Sequence, residues 1–231
     1  LTTTDKSDLV SAINELDGAL DLKSNKANPT FTGTINSGAI ISTGTISATS
    51  FVGDGSGLTG LVPSGLQSIA EGGNTGYRRA DADADYYGDI GSGAIDLSVS
   101  KISSLTRGAT GLNSTAMGTA TTASGNFSIA MGFSTTASGK NSTAMGELTI
   151  ASGLFSLATG YGTLASANGA SAMGLNSTAS GTHSTAMGSG TTASGVNSTA
   201  MGFSTTASGT HSTAMGELTI ASGLFSLATG Y

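Results

Sequence analysis

Residues 113–146 read NSTAMGTATTASGNFSIAMGFSTTASGKNSTAMG, and this pattern continues to the end of the 231-residue chain with a period of 14 and no insertion. The residue before the repeated glycine is Met in seven of nine copies, and the residue before that is Ala in all nine. A second glycine column, from Gly111 onward, follows half a period later. The first glycine column, which we expect at the bends of each repeat, comprises Gly118, Gly132, Gly146, Gly160, Gly174, Gly188, Gly202, Gly216 and Gly230. A repeat this strict predicts units that stack on one another to form a rod.

Fourteen residues are too few for a pair of helices and suit one coil of a β-solenoid, with two short strands and two tight bends. Glycine columns seven residues apart fall where bends need a positive φ or a close backbone approach. Stacked coils rise by about 4.8 Å each, so nine coils span roughly 40 Å. The sequence therefore predicts a mainly β fold over residues 108–231.

Alternation along a strand assigns the faces of each coil. Ser114 and Ala116 point one way, while Thr115 and Met117 point the other, and the second set includes larger apolar residues in later coils. We expect the small residues to face the inside of the coil and the large residues to form an apolar stripe that a monomer would leave exposed. The opposite assignment, with large residues inside, stays open. The predicted core of the roll or trimer comprises Met117, Phe127, Ile129, Met131, Met145, Phe155, Leu157, Met173, Met187, Met201, Met215, Phe225 and Leu227.

The composition excludes several functional classes. The chain has 36 glycines, no Trp, no Cys and a net charge of −6. No basic patch with interleaved aromatic residues supports nucleic-acid binding, no segment is long and apolar enough for membrane insertion, and disulfides and cysteine metal sites are impossible. A chain rich in Gly, Ser and Thr can be disordered, but disorder does not require a fixed period. Because the chain starts without Met and stops at Tyr231 within a repeat, we expect it to be part of a longer protein.

The first half divides into three segments. Residues 1–27 predict a short helix whose Leu9, Ile13, Leu16 and Leu20 follow coiled-coil spacing, although a small amphipathic helix on a globular core is an alternative. Residues 28–62 contain short β-prone pieces separated by glycine. Residues 63–107 form a connector that carries much of the charge.

The connector raises one metal hypothesis. Alternate aspartates at Asp81, Asp83 and Asp85 would share one side of an extended chain, which suits Ca²⁺. The EF-hand pattern fails, however, because Tyr86 and Ser92 occupy the glycine and glutamate positions. A solvated or arginine-paired acidic turn is the favoured interpretation, and no cofactor or metal is predicted.

The array carries no recognisable catalytic set. His183 and His211 occupy the same repeat position two coils apart, roughly 10 Å from each other, which is too far to share a metal. We expect both to be surface variants. Neither a serine triad nor a phosphate loop is indicated by the spacing, so no enzymatic activity is expected.

The repeats resemble the head of trimeric autotransporter adhesins, the YadA-like left-handed parallel β-roll, whose repeat has the form Asn-Ser-x-Ala-x-Gly. Residues 113–118, 141–146 and 197–202 carry this motif as NSTAMG. The resemblance implies a homotrimer of interlocked rolls. The chain departs from the family pattern in having Thr for the usual larger β-branched residue, and in Ala167, which replaces a glycine and is expected to distort its coil.

The front half is similar to segments common in phage tail fibres, over residues 4–16, 28–35 and 53–61. The combination predicts a non-catalytic, trimeric shaft or adhesive module of a phage or phage-like tail fibre, located in a virion or at a cell surface. Its expected partners are further copies of itself, other fibre or baseplate proteins, and a host glycan or protein receptor. The alternative is the head of a bacterial autotransporter adhesin. An ice-binding role, which needs flat exposed columns such as Thr121–Thr122, is a third hypothesis.

Overall fold

The computed structural model describes residues 65–230, which form a solenoid of two sheets. The predicted helix with Leu9, Ile13, Leu16 and Leu20 and the predicted segment 28–62 lie outside the described residues. A 12-stranded sheet contains the longer strands, and a 9-stranded sheet contains strands of two residues. The only helical segment among residues 65–230 is a 3-10 turn, Ala84–Tyr86.

The strands of the larger sheet are β1 (Leu66–Glu71), β2 (Asn74–Arg79), β3 (Ile95–Val99), β5 (Thr115–Thr119), β7 (Ile129–Phe133), β9 (Thr143–Glu147), β11 (Leu157–Tyr161), β13 (Ser171–Leu175), β15 (Thr185–Ser189), β17 (Thr199–Phe203), β19 (Thr213–Glu217) and β21 (Leu227–Gly230). The strands of the smaller sheet are β4 (Gly108–Ala109), β6 (Thr122–Ala123), β8 (Thr136–Ala137), β10 (Ile150–Ala151), β12 (Leu164–Ala165), β14 (Thr178–Ala179), β16 (Thr192–Ala193), β18 (Thr206–Ala207) and β20 (Ile220–Ala221).

Each coil of the array places one long and one short strand on top of the equivalent strands of the next coil. The pairing is parallel and keeps an offset of 14 residues, so that Ala116 pairs with Ala130 and Ala123 with Ala137. The predicted β-solenoid with 14-residue coils is thereby confirmed. The coil is asymmetric, however, because its two strands differ in length.

The core consists almost entirely of alanine. The alanine of each long strand and the alanine of each short strand, such as Ala116 and Ala123, are buried from Ala109 to Ala221, and Ala228 in the last strand is partly buried. A side chain of one carbon lets the two sheets approach closely, so the interior has no room for Met or Phe. This settles the face assignment in favour of small residues inside.

Two columns of hydroxyl side chains complete the interior. Ser114, Ser156 and Ser212 donate to the carbonyl oxygen three residues earlier at 2.6–2.8 Å. Ser128, Ser142, Ser184 and Ser198 occupy equivalent positions, but their hydroxyls have no hydrogen-bond partner among residues 65–230. The serine column is therefore only partly satisfied, and most threonine hydroxyls of the second column, such as those of Thr121 and Thr135, also have no partner within the described roll.

The glycine columns are required by the distance between coils. At Gly146 φ is +115°, and a Cβ atom there would lie 2.0 Å from the carbonyl oxygen of Gly160 in the next coil. The second column has ordinary φ values but is equally tight, since a Cβ at Gly139 would lie 2.0 Å from the oxygen of Gly153. The prediction that Gly118 and its equivalents lie at bends is wrong, because they lie in the last part of a long strand. They are required there because a Cβ atom would collide with the backbone of the next coil.

The coil that contains Ala167 keeps its register. Its strand β13 pairs with β11 and β15 over all five residues. The difference is one backbone bond: Gly153 N–H donates to Ala165 at 3.3 Å and Gly181 N–H donates to Ala193 at 3.2 Å, whereas no such bond from Ala167 occurs among the described residues. The expected distortion is therefore confined to one hydrogen bond.

The structure differs from the predicted division of the chain at residues 107/108. Strands β1 and β2 form an antiparallel hairpin, β2 pairs in parallel with β3, and β3 pairs in parallel with β5 over five residues. The larger sheet thus runs without a break through the described part of the predicted connector. The sequence hides this continuation because residues 100–107 interrupt the period.

Candidate interaction surface

The outward side chains of the long strands form one continuous surface along the solenoid, which we call the outer face. It has three columns, which begin at Thr115, Met117 and Thr119 and repeat every 14 residues. The methionines of the middle column are half-buried between their neighbours above and below. Exposed apolar residues on the outer face are Ile129, Phe133, Tyr161, Leu175, Phe203 and Leu227.

The structure places the predicted core residues in two different environments. Ten of them lie on the outer face and not inside the roll: Met117, Met131, Met145, Met173, Met187, Met201, Met215, Ile129, Leu157 and Leu227. Their packing against other copies of the chain remains a prediction. Phe127, Phe155 and Phe225, by contrast, lie on the turn that precedes each long strand, with φ between +53° and +58°.

The three phenylalanines were wrongly assigned to the same face as the methionines. Alternation applies only within a strand, and strand β7 begins at Ile129. The left-handed conformation at Phe127 turns the chain just before the strand, so the phenyl group points away from the roll beside the turn and is 47% exposed. The first residue of each motif, Asn113, takes the same conformation with φ +50°, and asparagine tolerates it better than phenylalanine.

The turn column also contains both histidines, and both are exposed. His211 Nε2 lies 3.2 Å from Asn197 Nδ2, and the His211 ring stacks on Phe225 with 4.8 Å between centroids. These contacts join residues one coil apart. They place His211 in a ladder of surface side chains, in agreement with the prediction of surface variants.

The acidic turn is paired with arginine at one position. Arg79 forms an ion pair with Asp81, and Asp83 accepts a hydrogen bond from the Asp85 backbone N–H at the start of the 3-10 turn. Residues 65–230 contain no group of three or more acidic or histidine side chains that could hold a metal ion. The Arg79–Asp81 pair matches the favoured interpretation of an arginine-paired acidic turn.

A buried charged cluster closes the interior at the start of the roll, and the sequence did not reveal it. Asp96 pairs with Ala116 across the sheet and so takes the place of a core alanine. Arg78, which is 3% exposed, forms an ion pair with Glu71 at 2.9 Å and lies 3.4 Å from the carboxylate of Asp96. The only available signal was the degenerate repeat around Asp96, whose register is shifted by the residues inserted after Val99.

Tyr87 belongs to the same cluster. Its ring lies 4.8 Å below the Arg78 guanidinium, and its hydroxyl donates to the Ser98 carbonyl and accepts from the Ser100 N–H. Burial raises the pKa of the Tyr87 hydroxyl above its usual value, and the nearby Asp96 carboxylate adds to the effect. The cluster therefore has a structural role, in covering the open end of an alanine core.

The threonine columns contradict the ice-binding hypothesis. Thr121, Thr135 and Thr191 are fully buried between the two sheets, so only the neighbouring column that begins with Thr122 faces outward. That column is interrupted by Ile150 and Leu164. A flat ladder of two exposed threonine columns is absent from the described roll.

Comparison with known protein families identifies the array. The model of the YadA head domain repeat matches residues 109–135, 137–163, 165–191, 193–216 and 207–231, slightly more than half of the chain. The protein is thus an adhesin-like fibre module, and the chain belongs to the family of proteins with YadA head domain repeats. Comparison with curated proteins gives no match. Among residues 65–230, no helix has the length and apolarity needed to cross a membrane.

Proposed function

We propose that three copies of this chain assemble into a rigid, non-catalytic fibre whose outer faces pack around a common axis. The observation that supports this proposal is the outward position of the methionine column. An alanine core buries little apolar surface per residue, whereas the columns that begin at Thr115 and Met117 leave a row of Met, Ile and Leu side chains in contact with water. Association stabilises such a roll because it removes this row from water.

Three-fold assembly accords with the family and with the left-handed interlocked rolls that the resemblance implies. It also accords with the coiled-coil spacing predicted near the start of the chain, since a short helix is marginal alone and needs partners. The fibre is our preferred context: a shaft or tip of a phage or phage-like tail, in a virion, which contacts a receptor on the host surface. Support comes from residues 4–16, 28–35 and 53–61, whose sequences are similar to tail-fibre segments.

A bacterial surface adhesin is the second candidate, and the family match itself favours it. Both candidates share the trimer and differ in the parent chain. A secretion signal together with a C-terminal membrane anchor in the parent gene would favour the adhesin, whereas neighbouring tail and baseplate genes would favour the fibre.

The assembly is tested by measuring the absolute mass of the chain in solution by light scattering at several concentrations. We expect a stable mass three times that of the 22.3 kDa chain. Replacement of Met117, Met131 and Met145 by Asp places three carboxylates on the outer face and should abolish the trimer, because unpaired charges at a buried interface cost several kcal/mol each.

The control carries the same charges on the other sheet. Ser124, Ser138 and Ser152 are exposed in the same three coils, and their replacement by Asp should leave the mass unchanged. A folded monomer of the unmodified chain would refute the proposal. So would a trimer that survives the methionine substitutions.

A further inference from the structure

A groove lies where the roll departs from its period. Strand β3 ends at Val99 and β4 begins at Gly108, so the eight residues 100–107 stand where the next coil has only two, Ala120 and Thr121. The loop 100–107 folds over the turns of the following coils. Between them lies a groove of about 560 Å³, which we call the insertion groove, lined chiefly by Val99, Lys101, Ile102, Arg107, Ala120 and Phe133.

The loop that forms the groove is anchored at several points. The Arg107 carbonyl accepts from the Gly88 N–H at 3.0 Å, and the Ser100 N–H donates to the Tyr87 hydroxyl at 3.0 Å. Ser104 accepts from the backbone N–H of Arg107 through its hydroxyl. The groove therefore has a defined wall before any ligand binds, which limits the ordering cost of binding.

Two cations and one aromatic ring converge on the insertion groove. Arg107 is held by a hydrogen bond from its Nη1 to the Ser100 hydroxyl at 3.1 Å, which leaves its other donors available. Neither Arg107 nor Lys101 forms an ion pair with any residue between 65 and 230. Phe133 lines the groove and is 50% exposed.

The charges around the insertion groove favour an anionic ligand. The chain is acidic overall, and the roll beyond it carries only Lys140 among the cations. No acidic side chain lines the insertion groove, whereas the adjoining groove on the other side of Lys101 is lined by Asp81 and Asp83 together with Arg79. An anion is therefore attracted more strongly to the insertion groove than to the neighbouring groove, where the two acids offset the two cations.

The position of the groove is compatible with the proposed assembly. Phe133 belongs to the column that begins at Thr119, at the edge of the outer face, and the same column carries exposed Glu147 and Glu217. Unpaired acids are not expected within a buried interface. The column therefore marks the rim of the proposed contact, which leaves the insertion groove open to solvent in each copy.

We propose that the insertion groove binds a carboxylated sugar ring. The carboxylate pairs with the Arg107 guanidinium, which offers two parallel N–H donors, and Lys101 adds a second positive charge. The apolar face of the ring lies against the Phe133 phenyl group. The inference rests on the proposed function, since it names the chemistry of the receptor; uronic acids and sialic acids share this chemistry, and a trimer would present three such sites.

The test measures binding of the intact chain to three probes by titration calorimetry: 3′-sialyllactose, a hyaluronan tetrasaccharide and neutral lactose. We expect one or both acidic probes to bind, lactose to bind at least tenfold more weakly, and affinity to fall when salt is raised. Binding of only one acidic probe assigns the source of the carboxylate. Equal binding of acidic and neutral sugars, or no binding of either acid, would overturn the proposal.

Variants locate the binding. Substitution of both cations, Lys101→Gln with Arg107→Gln, should weaken acidic-probe binding at least tenfold. Phe133→Thr, which introduces the residue found one coil earlier, should weaken it several-fold. Phe203→Thr is the matched control, because Phe203 has the same local sequence five coils away and does not line the groove. Equal effects of the two phenylalanine variants, or wild-type affinity in the double variant, would contradict the assignment.

A parallel assay on whole host cells separates this inference from the function on which it depends. If the chain binds cells and the double variant binds them equally well, the carboxylated-sugar site is wrong and the adhesive function stands. If the chain binds no cells at all, the adhesive function itself fails.

Discussion

Replacement of Gly146 by Ala should disrupt the roll far more than the same replacement at Gly190. Both glycines have a positive φ, +115° and +65° respectively, so both variants place an L side chain in a disfavoured backbone region. The two positions differ in the space available for a Cβ atom. A Cβ at Gly146 would lie 2.0 Å from the Gly160 oxygen, whereas a Cβ at Gly190 has no heavy atom nearer than 3.5 Å.

The loss of unfolding free energy expected for each variant follows from these distances. At Gly190 the cost is about 1 kcal/mol of backbone strain, and Ala120 already occupies the equivalent position with φ +56°. At Gly146 about 1–3 kcal/mol of strain is joined by about 1–3 kcal/mol for forcing two coils apart, and by the weakening of adjacent bonds such as Gly162 N–H to Glu147, 2.9 Å long. We expect a total of about 3 kcal/mol or more.

Urea unfolding monitored by far-ultraviolet circular dichroism, at one fixed protein concentration, measures the difference. The midpoint should fall by about 1 M or more for Gly146→Ala and by less than half of that for Gly190→Ala. Hydrogen exchange should show the loss of protection centred on the coils that contain Gly146 and Gly160. Equal midpoints for the two variants would refute the argument that contact between successive backbones requires the glycine columns.

Three further predictions concern the buried charged cluster of Arg78, Asp96 and Tyr87 and the turns of the roll. Asp96→Asn should destabilise the fold by about 3 kcal/mol because it leaves the Arg78 charge less well paired. The double variant Arg78→Met with Asp96→Ala removes that charge and should recover part of this free energy of unfolding, as measured by urea unfolding. The pKa of Tyr87 is raised in the folded state, so the contribution of its neutral hydroxyl to folding stability is fully present below the unfolded pKa of about 10 and is lost as pH rises through the folded pKa. The urea midpoint should therefore fall above about pH 10. This fall should be smaller in Tyr87→Phe. Ser204→Asn should raise stability by about 0.5 kcal/mol, since Ser204 has φ +51° and asparagine tolerates that region, while Ser208→Asn in the same coil should have no effect on the midpoint.

The sequence predicts the solenoid well because two local rules suffice. The 14-residue period sets the register of every coil, and alternation within a strand places Ala116 inside and Met117 outside. Alternation depends only on residues adjacent in the chain, and the period depends only on the equivalent residues of the next coil. They stop at the turns, where Phe127 shares the left-handed conformation of Asn113 one coil earlier although its own propensity disfavours it, and where the Phe127 N–H donates to the Leu112 carbonyl.

The buried charges and the insertion groove could not be predicted in this way. Arg78 and Asp96 come together because β2 and β3 join the larger sheet, and the loop 100–107 removes the periodic signal that would have shown this. The groove needs the loop 100–107 and the end of strand β7 at Phe133 to lie side by side, which is a consequence of the stack and not of either segment. Functional features thus concentrate where the repeat is broken.

The alanine core explains why surface features can vary along the roll. Inward positions accept only small residues, but the column that begins at Thr119 accepts Phe, Glu, Tyr, Leu and Ser without a change of register. Residues 133–160 and 203–230 are identical except at two positions, so the roll offers nearly the same outward side chains twice, about 24 Å apart. The first copy alone adjoins the loop 100–107. A ligand that uses only the repeated side chains would therefore bind at two heights, whereas a ligand of the insertion groove binds at one, and the number of sites per chain distinguishes the two modes.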